Sequence, residues 1–228
     1  MTPSLTSFES RPYPGRVPPY PYTVRSGHVV RLAWPPEAVQ LPDSPVSLLT
    51  YGSNACPGRL AEKFGHEADG IVVLPADLHG TRRVFACSPS RGALPYTLRA
   101  DPPHREAVHV VVVPGRVGHA LDTTEGRATE HYDLARLDDA VVHLGAHRWQ
   151  RPLTYLGKGE RGPAEHHGRT LDVDGWSTEA AESLMSELRG DDTRLPPHTV
   201  VPLDVALADA VDAGDRALLA ALALPSGS

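Results

Sequence analysis

From residue 46 onward the apolar positions fall into short, β-rich runs rather than long stripes. VSLLT (46–50) has the pattern of a buried strand, and the small-residue turn Tyr51-Gly52-Ser53-Asn54 ends it. Pro57 then suits the first position of a helix that runs through Arg59, Leu60 and Phe64 and closes at Gly65. GIVVLPA (70–76) and RRVFACSP (82–89) read as strands, and ALPYTLRAD leads to a proline-led turn at PPHRE. VHVVVVP (108–114) is the strongest strand pattern in the chain, and DDAVVHLG and LTYLG add two more. Two helical patterns follow. STEAAESLMSELRG (177–190) has Ser177 as N-cap and stops at Gly190, whereas VPLDVALADAVDAGDRALLAALAL keeps three-to-four spacing with a break at Gly214.

Residues 1–45 are different. RPYPGRVPPYPY and AWPPEAVQLPDSP carry proline at a density that favours extended chain over helix or central strand. VVRLAW (29–34) is the run there suited to an edge strand. The predicted organisation is a Pro-rich arm (1–45), a core (46–175) and a C-terminal helical extension (176–228). Strands cluster in the middle and helices at the end, without regular alternation. That pattern predicts an α+β fold, a small mixed β-sheet curled towards a barrel and flanked by helices, over a doubly wound sheet.

Composition narrows the function classes. The 228 residues carry a net charge of −6 at a pI of about 6.0, which gives no basic footprint for nucleic acid. No apolar run approaches the ~20 residues that span a bilayer, and the N-terminus lacks the pattern of a secretory leader. Cys56 and Cys87 form no CxxC, so a reducing cytoplasm is the expected compartment. Twelve histidines raise the question of a metal, but no HExxH occurs. His143 and His147 share a face only on a helix, where a strand is expected, and His166-His167 lies in a loop beside Glu165. The expectation is no metal and no other cofactor. Lysine is confined to Lys63 and Lys158, a bias with no evident mechanistic meaning at this level.

The second informative stretch is HALDTTEGRATEHYDLARL (119–137), in which Leu121-Asp122 and Glu125-Gly126 read as a turn of helix stopped by glycine. Tyr132 opens the next apolar run. YGSN after the opening strand, followed by a strand-turn-strand pattern and then LDxxEG, resembles the gamma-glutamylcyclotransferase family over roughly residues 46–160. Arg59 also lies where relatives carry arginine, whereas His109 stands where they often have glycine. The resemblance implies a catalytic carboxylate at Glu125, substrate contacts at Tyr51, Gly52, Ser53, Asn54 and Tyr132, and no metal or nucleotide. It implies a small-molecule partner, a γ-glutamyl amide whose own α-amine attacks the γ-carbonyl to release 5-oxoproline and an amine; a homodimer stays open.

That chemistry makes few demands. The substrate must be folded into a ring-like conformer, an ammonium deprotonated and an oxyanion stabilised. Backbone N–H groups at a turn such as 51–54 suit the oxyanion or an α-carboxylate. A glutamate of ordinary pKa, about 4.3, is a poor base for an ammonium near 8, so burial of Glu125 among apolar strands is expected. Two rivals remain: a non-catalytic module that binds a small anion, and an amide hydrolase or acyltransferase. Ser53 lacks the GxSxG setting of a serine nucleophile.

Overall fold

A computed structural model describes residues 2–34, 39–89, 93–129 and 131–223. Its strands are β1 (Tyr22–Arg25), β2 (His28–Arg31), β3 (Pro45–Thr50), β4 (Val72–Phe85), β5 (Tyr96–Pro114), β6 (Tyr132–Leu137), β7 (Val141–Leu144), β8 (His147–Gln150) and β9 (Leu153–Gly157), then β10 (Ala164–His166), β11 (Arg169–Thr170), β12 (Arg189–Gly190) and β13 (His198–Val200). The α-helices are α1 (Pro57–Phe64), α2 (Gly118–Glu125), α3 (Thr178–Ser183) and α4 (Ala213–Ala223). Ten strands form one mixed sheet with the path β13-β6-β9-β3-β5-β4-β1-β2, and β7 and β8 continue from β4. The pairing of β3 with β9 is parallel, whereas β1–β2, β1–β4, β13–β6, β3–β5, β4–β5, β4–β7, β6–β9 and β7–β8 are antiparallel. β2 and β13 stand at opposite ends of the path, so the sheet is open and larger than its sequence pattern suggested. The small sheet β11-β10-β12 lies apart.

The valine run forms the spine of this sheet. Val110 to Val113 are buried on both faces, between Val46–Leu49 of β3 and Val72–Leu74 of β4. The two runs at 70–76 and 82–89 are not separate strands: β4 carries most of both, and Gly80 (φ +92) marks a shift in its pairing with β5. The expected turn at PPHRE is also corrected, because β5 continues through it. His79 pairs with Arg105 and Thr81 with Ala100, leaving residues 101–104 opposite Gly80. Pro102 and Pro103 therefore sit in a bulge where a missing N–H costs no ladder bond.

Both C-terminal helices are shorter than expected. Ser177 does cap α3, accepting from the Ala180 N–H, but the helix ends at Ser183. Farther on, Gly190 pairs with Ala164 as a strand, a tertiary contact that outweighs helical propensity. Among the described residues of the last segment, 213–223 are α-helical, with Asp212 accepting from the Gly214 and Asp215 N–H groups at the start. Residues 201–205 are held instead by Arg127, which donates to the carbonyls of Val201, Pro202 and Val205.

One hydrophobic cluster takes in residues from Leu5 to Leu222. The proline-rich N-terminal stretch contributes β1, which pairs with β4 at Thr23 and Val72, and β2 at the sheet edge. Tyr22 is fully buried and donates to the Ala55 carbonyl at 2.6 Å. At the other end of the chain Asp215 of α4 is fully buried between Arg136 of β6 and Trp149 of β8. Among the described residues no helix is long and apolar enough to cross a membrane.

Candidate active site

β3, inside the sheet, delivers Tyr51 and Gly52 at its C-terminal end, and a single 3-10 turn, Ser53–Ala55, redirects the chain into α1. Tyr51 is anchored by its hydroxyl, which donates to the Tyr155 carbonyl at 2.6 Å. Tyr155 in turn donates to Asp122 Oδ1 at 2.8 Å, and Asp122 also faces Arg127. The aspartate of LDxxEG thus serves as a positioning group. Its helix, α2, stops at Gly126, whose φ of +66° favours glycine, and this leaves Glu125 as the last helical residue.

Glu125 meets two partners. Lys63 of α1 places Nζ 2.5 Å from Glu125 Oε1 and 2.6 Å from Asn54 Oδ1, and Asn54 Nδ2 donates to Glu125 Oε1 at 3.1 Å. The Lys63 side chain is 7% exposed and that of Glu125 14%, so the triangle is shielded from water. The expected apolar wrapping of Glu125 is corrected here: an ammonium and an amide hold its carboxylate. The role expected of Asn54, as turn backbone, misses its side chain, which bridges the cation and the carboxylate.

Tyr51, Gly52, Ser53, Asn54, Glu125 and Tyr132 all line one cavity of about 40 Å³. Tyr13, Tyr96 and Tyr155 complete much of the wall, so five of the chain's seven tyrosines meet there. Burial pushes the phenols of Tyr13, Tyr51, Tyr96, Tyr132 and Tyr155 above the ordinary tyrosine value. They stay protonated at neutral pH and act as hydrogen-bonding walls. Glu125 is the carboxylate among the described residues that line this cavity.

Two expected neighbours lie elsewhere. Arg59 turns along α1 to pair with Glu62. His109 lines a different hollow, of about 700 Å³, with Trp34, Asp77 and His143. Burial, and then the charge of Arg83, lower its pKa to about 4. Since unfolded histidine titrates near 6.5, the unfolded chain takes up a proton between about pH 6.5 and 4 that the folded chain refuses. Stability present above that window is lost as pH falls through it, by about 2–3 kcal/mol at pH 4.5. Urea unfolding of wild type and His109→Gln at pH 7 and 4.5 checks this: their stability difference should shift by that amount in favour of the variant. A constant difference would show that His109 does not titrate there.

Lys63 and Tyr13 are the residues that sequence reasoning missed. The scarcity of lysine was a signal for Lys63, since one of only two lysines sits on the central carboxylate. For Tyr13 the proline-rich setting concealed any signal. Outside the cavity, His166, His167 and Glu187 bring ligand atoms within 4.8 Å of one another, with His166 Nε2 3.0 Å from Glu187 Oε2. The sequence had placed Glu165 beside that pair; the fold brings Glu187. None of these lines the Glu125 cavity.

No protein-family model matches the chain, and no curated protein matches its sequence. Among solved structures the chain is similar to a gamma-glutamyl cyclotransferase, at 17% identity and a TM-score of 0.42, over 50% of this chain and 67% of that one. It is also similar to YkqA from Bacillus subtilis, at 17% identity and a TM-score of 0.38, over 64% of this chain and 56% of that one. This chain thus spans little more than half of YkqA. Neither likeness assigns a function to it.

Proposed function

We propose that the protein is a cyclotransferase that cleaves a γ-glutamyl amide by intramolecular attack of the glutamyl α-amine. The observation that carries the reading is the shared cavity: Glu125, fixed by Lys63 and Asn54, lies in the same hollow as the 52–54 turn. A carboxylate and a small-residue turn are the two groups this reaction asks of a protein.

In the proposed reaction Glu125 accepts a proton from the substrate's α-ammonium. The freed amine nitrogen bonds to the γ-carbonyl carbon, and the carbonyl oxygen becomes an oxyanion. Backbone N–H groups opening the 53–55 turn lack partners within the turn itself and suit that oxyanion or the α-carboxylate. The amide C–N bond then breaks as Glu125 returns the proton to the leaving nitrogen. The ring nitrogen sheds its second proton through Glu125 to the departing amine, so the products are a neutral lactam and an ammonium. Oriented attack of this kind is worth about 7–11 kcal/mol, much of it inherent in the substrate, and a positioned general base about 10²–10⁴-fold. Lys63 acts as a positioning residue, since its ammonium fixes the direction of Glu125 Oε1.

The proposal includes a reducing compartment, consistent with the free thiols of Cys56 and Cys87. Incubation with a panel of γ-glutamyl amides, followed by mass detection of 5-oxoproline, tests the reading. Release from at least one member is expected; no release from any would remove it.

A further inference from the structure

The space that a γ-glutamyl group needs is already occupied. A cavity of about 40 Å³ holds roughly three water molecules, against the ~300–1,000 Å³ usual for small-molecule sites. The occupant comes from the proline-rich segment. Tyr13 turns its hydroxyl inward, where it accepts from the Tyr96 N–H at 3.3 Å, and its ring stands edge-on to Tyr96 at 4.8 Å. The hydroxyl oxygen lies so close to Gly52 that a Cβ at residue 52 would collide with it. A phenol therefore sits directly on the turn proposed to receive the substrate's negative charge.

The segment around Tyr13 is tethered at both ends; between them Phe8 and Tyr13 pack against the core, and the Phe8 and Ser10 backbone lies against Gly58 of α1. Leu5 is buried and donates to the Gly27 carbonyl, while β1 enters the main sheet from Tyr22. Between these anchors, Ser10 donates to Glu62, and the Cys56 thiol approaches the Glu9 carbonyl at 3.5 Å. Two bonds close the segment on itself: Gly15 N–H to the Pro12 carbonyl and Arg16 N–H to the Glu9 carbonyl, each 2.8 Å. Residues 8–16 belong to no strand. Side-chain packing, not ladder pairing, holds the segment to the body, so it opens without breaking a strand pair of the sheet.

We propose that residues 8–16 form a strap that holds the Tyr13 phenol in the place of the substrate's glutamyl group, and that substrate enters only by displacing it. The proposal rests on the cyclotransferase reading. Apparent affinity is then lowered by the fraction of molecules with the strap open, so removing the phenol raises it.

Binding is measured by calorimetry with γ-glutamyl anilide in a Glu125→Gln background, where turnover is slow, with and without Tyr13→Ala. Tyr13→Ala should tighten binding about 3- to 10-fold, and Tyr13→Phe, which keeps the ring, should tighten it less. In the protein that retains Tyr13, the ligand should speed hydrogen exchange at the Gly15 and Arg16 amides, an arm that stands even if Tyr13→Ala fails to fold. Weaker binding by Tyr13→Ala, or slower exchange at Gly15 and Arg16 on adding the anilide, would overturn the strap and make Tyr13 a wall of the bound site. Absence of binding by every variant would overturn the cyclotransferase reading itself, and the strap with it.

Discussion

Glu125→Gln should lower the rate of 5-oxoproline release by about 10²–10⁴, the usual worth of a positioned general base. That corresponds to about 3–5 kcal/mol of barrier. The substitution keeps the shape of the side chain and a carbonyl oxygen for Lys63 and Asn54, so the geometry of the triangle should survive. Among the described residues that line the cavity, it removes the one group able to take the α-ammonium proton, because the surrounding phenols are pushed up by burial and stay protonated. KM should change little, since the turn at 52–54 is untouched. A cost in stability is also expected. A lone buried carboxylate would be relieved by amidation, but this one neutralises Lys63, only 7% exposed, and its loss leaves that ammonium without its anion. A loss of about 1–3 kcal/mol in urea unfolding is expected. Near-normal turnover by the variant would remove Glu125 from the chemistry. Glu130, the next carboxylate along the chain, lies outside the described residues.

Asp215→Ala should destabilise the fold by about 3–5 kcal/mol, as expected when one partner of a buried pair is removed. Asp215 has no accessible surface and accepts from both terminal nitrogens of Arg136, from Trp149 Nε1 at 2.9 Å and from the Asp212 N–H at 2.8 Å. Those donors come from β6, β8 and the start of α4, so one carboxylate fastens the C-terminal helix to the sheet. In the variant, the buried Arg136 keeps Asp212 at 3.3 Å and the carbonyls of Arg151 and Ala210, but the Trp149 N–H loses its acceptor. Urea unfolding followed by Trp149 fluorescence reports on this junction. A loss below about 1 kcal/mol would mean that the helix is held by its apolar face alone.

Local signals explain what the sequence disclosed. The VSLLT run, the YGSN turn and Pro57 announce β3, its exit and α1 within twenty residues, and Gly126 marks the end of α2. Each rests on the backbone preferences of adjacent residues. The features that escaped depend on contacts distant in sequence. Lys63 reaches Glu125 only because α1 and α2 lie side by side, and Tyr13 reaches Gly52 because the arm folds back over the turn. Pro102 and Pro103 pointed to a turn, yet a bulge tolerates them inside a 19-residue strand. The stretch at 201–212 had helical spacing, but side-chain bonds from Arg127 and Arg136 to its carbonyls hold it in turns. The buried Asp215 showed in the sequence only as one more acidic residue in an amphipathic pattern.

The central claim is that the substrate's own amine, and not water, breaks the γ-glutamyl amide. The direct test is turnover of a γ-glutamyl amide in water enriched in oxygen-18, with the products resolved by mass. Intramolecular attack predicts 5-oxoproline that carries none of the heavy oxygen, and no glutamate. Glutamate carrying one oxygen-18 atom would show that water is the nucleophile and would contradict the account.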